Sequence, residues 1–417
     1  MQNSALNRRL WLKQAAAGTA AVGVGTSSVV PACFQQIAAA SESDSGQILV
    51  VVQLSGGNDA LNTLVPYNDD AYTAARPKLS IGASDVLKLD DEHGLHPSLS
   101  GFNELLQAGN ASIIQGVGYP NPNRSHFESM DIWHTCFRKD QRTEEGWIGR
   151  YLQSQSSPRS GDAPAMHLGH NAQPLALASR DLTIPTVKSL KGFQLRGDES
   201  AVVSELLGNQ PMQDQATPTA PADSSLLGFL NSSTSNAIAA SERITSAIKD
   251  YETPVDYPES GLGAKLKMVA QLITSQLSTR VYYVELDGFD THAKQADSHA
   301  ALLRQYSEAV TAFMKDLKHH QLSQQVCVLT FSEFGRRVAE NASEGTDHGA
   351  AGVMMLCGES LKPGLLGQKA DLTDLQQGDL KHQIDFRTVY AGIIQDWLGG
   401  DAETALGASY EPMKLFA

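Results

Sequence analysis

The residues best suited to chemistry lie in four short stretches. Gly345-Thr346-Asp347-His348-Gly349 sets a carboxylate beside an imidazole between glycines. Asp287-Gly288-Phe289-Asp290-Thr291-His292 gathers acids and a histidine within six positions. Asp59 closes Ser55-Gly56-Gly57-Asn58-Asp59, and Arg124-Ser125-His126 leads into Phe127-Glu128. Carboxylate oxygen and neutral imidazole nitrogen both ligate zinc and related ions, and glycine lets the backbone turn tightly around them. A serine beside such an ion can attack an ester. Each stretch also has a plain structural reading. Asp-Gly sequences make turns, Asp59 can cap a helix, and Ser125 with Glu128 has capping-box spacing.

The elements around these stretches say where they go. Continuous apolar, β-branched runs predict strands at 47–54, 111–117, 280–286, 326–331 and 352–357. Amphipathic helices are expected at 97–108, 300–320 and 385–398. Runs of this kind alternating with helices predict an α/β fold with a mostly parallel sheet and helices on both faces. Open sheets of this class collect functional groups at the carboxyl ends of their strands. Asp59, Asp287 and His292 follow such strands, and Asp347 and His348 fall between two of them, so all five are predicted to converge at one sheet edge. Residues 150–261 read as an insertion covering or flanking the site, with 209–225 a surface loop rich in Gln, Pro, Ala and Thr. His167 and His170 in this stretch read as packing or surface residues. The glycines after 47–54 lack the third glycine of a dinucleotide-binding fingerprint.

Composition narrows the setting. Residues 1–40 hold Arg8, Arg9 and Lys13 but no acid, followed by a mild Ala/Gly/Val run. That pattern reads as an export signal resembling the twin-arginine type, with Trp11 in the place usually taken by Phe. The run is too polar and short for a stable membrane span, and no later stretch is long and apolar enough for one. Cys33 faintly suggests lipoprotein processing. The formal charge of −14 becomes −17 once the +3 of the leader is set aside, which argues against nucleic acid as a partner. Cys136, Cys327 and Cys357 remain, an odd number unsuited to a full disulfide framework.

Taken together, Leu-Ser-Gly-Gly-Asn-Asp (54–59), Arg-Ser-His-Phe (124–127), Gly-Trp-Ile-Gly-Arg-Tyr (146–151), Phe-Asp-Thr-His (289–292), Ser-Glu-Phe-Gly-Arg (332–336) and Gly-Thr-Asp-His-Gly (345–349) resemble a bacterial family, domain of unknown function 1501. That family looks like a branch of the alkaline phosphatase and sulfatase superfamily. The resemblance covers nearly all of the chain from 46 to 417. It implies a three-layer α/β/α domain with one or two divalent ions, zinc or manganese, at the strand ends.

By that resemblance Asp59, Ser125, Asp347 and His348 would hold one metal, with Ser125 the nucleophile. Asp287 and His292 would begin a second site, completed by His382 or His126, since no histidine lies between His348 and His382. Arg124 or Arg336 would balance charge on the transferring group, and Glu333 would bind metal or orient a ligand histidine. The implied activity is hydrolysis of a phosphate or sulfate ester, of a small molecule or a polymer, in the periplasm or outside the cell. The sulfatase motif Cys/Ser-x-Pro-x-Arg is missing, and formylglycine chemistry is not expected. The alternatives are an exported binding or assembly protein that keeps the fold without the chemistry, and a metalloenzyme acting on another kind of substrate.

Overall fold

Ile48–Ser55 (β1) carries side chains that are buried on both sides of the strand, and this decides the architecture. Val50, Val52 and Leu54 enter one apolar cluster while Leu49 and Val51 enter another. A strand buried this way needs a layer on each face. The computed structural model describes residues 46–141, 143–155, 162–190, 249, 251–275 and 277–417. The leader with Arg8, Arg9 and Cys33, and the loop at 209–225, lie outside the described residues.

Eight further strands join β1 in a nine-stranded sheet. In chain order they are Ala111–Gly118 (β2), Ala165–Leu168 (β3), Thr186–Val187 (β4), Val281–Asp287 (β5), Val326–Phe331 (β6), Gly352–Cys357 (β7), Gly364–Leu366 (β8) and Ile384–Asp385 (β9). The order across the sheet is β8-β2-β7-β6-β1-β5-β3-β4, with β9 pairing beside β2. All five strands read from sequence are present. Every pairing is parallel except those of β7, which runs antiparallel to both β2 and β6. That reversal matters for the site: the loop entering β7 emerges at the same edge as the loops leaving its neighbours.

Ser100–Gln107 (α1), Gly261–Thr274 (α2) and Gln295–His319 (α3) cover one face through Phe102, Leu266, Val310 and Phe313. His126–Thr135 (α4), Trp147–Ser154 (α5) and Phe386–Gly392 (α6) cover the other through Trp133, Ile148 and Tyr390. Trp133 stacks on Phe386 at a centroid distance of 4.2 Å. Among the described residues no helix is long and apolar enough to cross a membrane. Cys136, Cys327 and Cys357 are buried free thiols.

The stretch expected as an insertion at 150–261 is described in part. Ala165–Leu168 and Thr186–Val187 extend the central sheet, β3 pairing in parallel with β5, so they belong to the core rather than to a cover over it. The alternation in Ala165-Met166-His167-Leu168 was too short to show this. His167 is wholly buried and lies 3.3 Å from Glu285.

Candidate metal centre

Four loops meet at the carboxyl edge of the sheet, and one arginine fastens three of them. Arg336 is 1% exposed. Its guanidinium donates to Gly57 O at 2.8 Å, Thr346 O at 2.8 Å, Phe289 O at 2.9 Å and Asp290 Oδ1 at 2.7 Å, and to Gly56 O as well. A planar fork with five donors suits this task. Close approach is possible only because the loops carry glycine. At Gly56, with φ of +117°, a Cβ would sit 2.4 Å from the Asp290 nitrogen. Arg336 is therefore a clamp with its donors used. In this structure its partners are loop carbonyls and Asp290.

The clamp presents Asp290 to two histidines. One ligand atom each from His126, Asp290 and His348 lies within 4.8 Å of the others, the one such metal-suited group found among the described residues. His348 approaches at 3.1 Å from Asp290 Oδ1, and His126 Nε2 lies 3.4 Å from Oδ2. His292 adjoins them, its Nε2 3.0 Å from Asp290 Oδ1 and 2.9 Å from His348 Nε2. Burial works against ionisation of Asp290, but Arg336 and His348 overcome it and bring its pKa down to about 2. The carboxylate is charged at any ordinary pH.

The far sides of the imidazoles are held by oxygen acceptors. His126 Nδ1 lies 2.8 Å from Glu333 Oε1, and His348 Nδ1 lies 2.7 Å from the Arg124 carbonyl. His292 Nδ1 lies 3.2 Å from Asp347 Oδ1. Oxygens of this kind only accept, so each Nδ1 carries a proton, and in the neutral imidazole each Nε2 then turns a lone pair toward the cluster. His126 Nε2 is buried without a hydrogen-bond partner. His292 and His348 face each other lone pair to lone pair unless a cation or an added proton lies between them. Nitrogen and carboxylate donors, outer partners that fix the tautomers, and an orphaned buried nitrogen together fit a divalent metal. Glu333, itself buried, takes the orienting role, and its hydrogen bond raises the pKa of His126 more than burial lowers it.

Several expected ligands stand elsewhere. Asp59 is 1% exposed and is paired with Arg76 at 2.6 Å. It also accepts from Gln295 and from the Leu61 amide at 3.2 Å. Burial would raise its pKa, but Arg76 outweighs that and holds it below the usual carboxylate value. Its oxygens are committed to a buried ion pair in this structure, away from the His126–Asp290–His348 group. Asp287 is exposed and accepts from Asn171 at 3.2 Å, with no contact to the cluster. The carboxylate that belongs to the cluster is Asp290, three residues on, because the chain turns at Gly288 before Arg336 captures it. Asp347 stands behind His292 and also accepts from Asn341 at 3.3 Å. The Asn341 hydrogen bond, followed by His292, keeps its pKa low.

Ser125 sits one residue before His126 at the N-terminus of α4. The capping box is not formed: the Ser125 side chain makes no cap bond. Its amide is instead held by Asn123 Oδ1 at 2.8 Å, and Glu128 faces Lys139 at 3.5 Å. The hydroxyl is exposed and makes no hydrogen bond among the described residues. Arg124 pairs with Asp379, its Nε 2.8 Å from Oδ2. His382 pairs with none of the cluster residues. Asp290 and His126 are the ligand candidates that sequence reasoning undervalued. Both stood inside the quoted stretches, and the signal for each was a nearby histidine or acid with no turn to explain it.

Fold and site thus define an α/β protein with a candidate His/Asp metal centre at the carboxyl edge of its sheet. The chain belongs to the family described as protein of unknown function (DUF1501), whose pattern matches residues 47–388. No curated protein matches the sequence. Solved structures similar to it include Ps i-CgsB in complex with k-i-k-neocarrahexaose, at 10% identity and a TM-score of 0.36, covering 88% of this chain and 73% of that one. Another is alkaline phosphatase from the Antarctic bacterium TAB5, at 10% identity and a TM-score of 0.35, covering 76% and 93%. A third is the C-terminal periplasmic domain of EcEptC from Escherichia coli, at 8% identity and a TM-score of 0.35, covering 75% and 72%.

Proposed function

We propose that this protein is a metal-dependent hydrolase of phosphate or sulfate esters that works outside the cytoplasm. The observation carrying this reading is the gathering of His126, His292 and His348 Nε2 atoms around Asp290, with Ser125, whose hydroxyl makes no hydrogen bond among the described residues, one position before His126. A divalent cation, zinc or manganese, held by His126, Asp290, His348 and His292 would supply Lewis-acid charge, favouring an ionised hydroxyl and stabilising negative charge on the transferring group. Ser125 Oγ then attacks phosphorus or sulfur, its proton passing to the solvent it faces. The ester bond breaks, the alcohol leaves, and water hydrolyses the seryl ester to restore the hydroxyl. The N-terminus of α4 favours an anion at this position. Asp290, His348 and His126 position the reacting group, and Glu333 holds His126 in the required tautomer.

The test begins with metal analysis of protein folded in the cytoplasm. It continues with a screen of phosphate monoesters, phosphate diesters and sulfate esters with added zinc or manganese. Near-stoichiometric metal that disappears in His348→Ala, with activity that disappears in Ser125→Ala, is the expected result. Metal-free protein, or full activity in Ser125→Ala, would overturn it. A second reading, a binding or assembly protein that keeps the fold, is favoured by the commitment of Asp59 to Arg76; metal without turnover of any ester would select it. Among such esters nucleic acid is not expected, because the chain is strongly acidic. Export by the twin-arginine route predicts that Arg8→Lys with Arg9→Lys leaves the precursor in the cytoplasm. Normal periplasmic accumulation of that double variant would show the leader to be of another kind.

A further inference from the structure

Next to the cluster lies a cleft of about 430 Å³ walled by Asn121, Asn123, Arg124, Gln376, Gln377 and Asp379. Its size falls in the range of small-molecule sites, roughly 300–1,000 Å³. It adjoins the candidate centre through the chain itself. Arg124 lends its carbonyl to His348 Nδ1 at 2.7 Å, and Asn123 Oδ1 accepts from the amide of Ser125 at 2.8 Å. The lining thus ends at Arg124, one residue before the proposed nucleophile in the chain.

The wall opposite Asn121 is a hairpin, Leu375–Gln376 against Asp379–Leu380. Its two-residue loop, Gln377-Gly378, has φ of +56° and +86°, the pattern of a type I′ turn. The turn holds Gln376 and Gln377 at the rim. Side chains of Asn121, Gln376 and Gln377 form no hydrogen bonds among the described residues, so each offers an unused donor and acceptor. Asp379 is 2% exposed and lines the same cleft. Its Oδ2 takes the bonds from Arg124, while its Oδ1 is buried with no hydrogen-bond partner; Arg337 stays 3.8 Å away. A buried carboxylate oxygen left open in this way asks for an O–H or N–H donor.

The charge pattern selects among ligands. Arg124 is paired with Asp379, and Arg337 stands 3.8 Å from the same carboxylate, so neither cation is left without a counter-charge for an anionic ligand. Unused amides with an open carboxylate oxygen match adjacent hydroxyls, each of which both donates and accepts. We infer that the leaving group of the ester is a carbohydrate, its hydroxyls bound in the cleft between residues 121–124 and the 375–380 hairpin. This rests on the ester-hydrolase reading for the word ester, and on the cleft alone for the sugar.

The experiment has two arms on the exported chain. In the first, saturation-transfer NMR with neutral glucose and maltose is run on wild-type protein in EDTA, needing neither metal nor turnover. Saturation of the sugar protons, lost in the double variant Gln376→Ala/Gln377→Gly, is expected; glycine keeps the positive φ at 377 accessible. In the second, glucose 6-phosphate and glucose 6-sulfate are compared with p-nitrophenyl phosphate and p-nitrophenyl sulfate. The ratio of kcat/KM for sugar ester over aryl ester should fall about tenfold in the double variant, the loss expected for a pair of hydrogen bonds. No saturation of either sugar, or an unchanged ratio, would overturn the cleft assignment. If no ester is cleaved while sugar still binds through Gln376 and Gln377, the hydrolase reading fails and the carbohydrate site stands.

Discussion

The loops after β1 and β5 begin side by side, Ser55 paired with Asp287, and each carries an aspartate a few residues on. They end in opposite states. Asp59 is sealed against Arg76, a residue also held by Val338 O at 2.9 Å and Asn62 Oδ1 at 2.7 Å. Asp290 has a side chain 48% exposed and turns toward three imidazoles. Both carboxylates have an arginine partner, so a salt bridge does not separate them. What separates them is what else they touch: Gln295 and a backbone amide complete Asp59, whereas Asp290 keeps its oxygens directed at three histidine Nε2 atoms. Position at the carboxyl edge of a parallel sheet makes a ligand possible, and the neighbours decide whether it is used.

The contrast can be broken most sharply at Asp59. Asp59→Ala leaves Arg76 buried without its counter-charge and should lower unfolding free energy by about 3–5 kcal/mol, while metal content stays unchanged. Asp59→Leu with Arg76→Met should recover most of that loss, as read by denaturant midpoints. Loss of metal with little loss of stability in Asp59→Ala would exchange the roles assigned to the two loops.

At Asp290 the pattern should invert. Asp290→Ala is expected to weaken metal binding by more than roughly 100-fold, because a ligand counts for more than an outer-shell partner. Unfolding free energy without metal should fall by less than the ~3–5 kcal/mol expected for Asp59→Ala, because Asp290 is half exposed and Arg336 keeps four backbone carbonyl acceptors. Glu333→Gln sharpens the same point at one remove. It keeps the shape but permits the other tautomer of His126, and metal titration should show affinity about tenfold weaker.

The smallest expected effect is acid sensitivity. The Asp59 pKa is lower in the folded chain than its ordinary value of 3.8, so its stabilisation is complete above that pH. It fades as pH falls through the lower folded value. Wild type and Asp59→Asn should therefore lose stability with different slopes below about pH 3.8, a difference visible in acid unfolding curves at fixed ionic strength.

Much of the architecture was legible in the order of residues. Five strands announced themselves as unbroken apolar runs, since strands buried on both faces have no polar side to interrupt them. The helices Gln295–His319 and Phe386–Gly392 showed their amphipathic repeat, although the first begins five residues earlier than the pattern from Ala300 suggested. The short strands Ala165–Leu168 and Thr186–Val187 gave too little pattern to show that they extend the sheet. Local chemistry was legible too: Asp347, His348 and His292 drew attention because turn formation alone does not ask for histidine. Ser125 looked like a cap, and its role depended on whether Asn123 or Ser125 would take the free amides.

The sequence alone determined which residues could bind a metal and that strand ends would carry them, because residue type and strand periodicity are local properties. Tertiary structure decided the rest. Arg76 and Arg336 are far apart in the chain, and each found its carboxylate only after folding brought loops from different strands together. The antiparallel turn of β7 delivered His348 to the edge where His126 and Asp290 wait, and no window of sequence contains all three. A coordination site is a matter of which lone pairs point at one place, and direction is fixed by packing rather than by order along the chain.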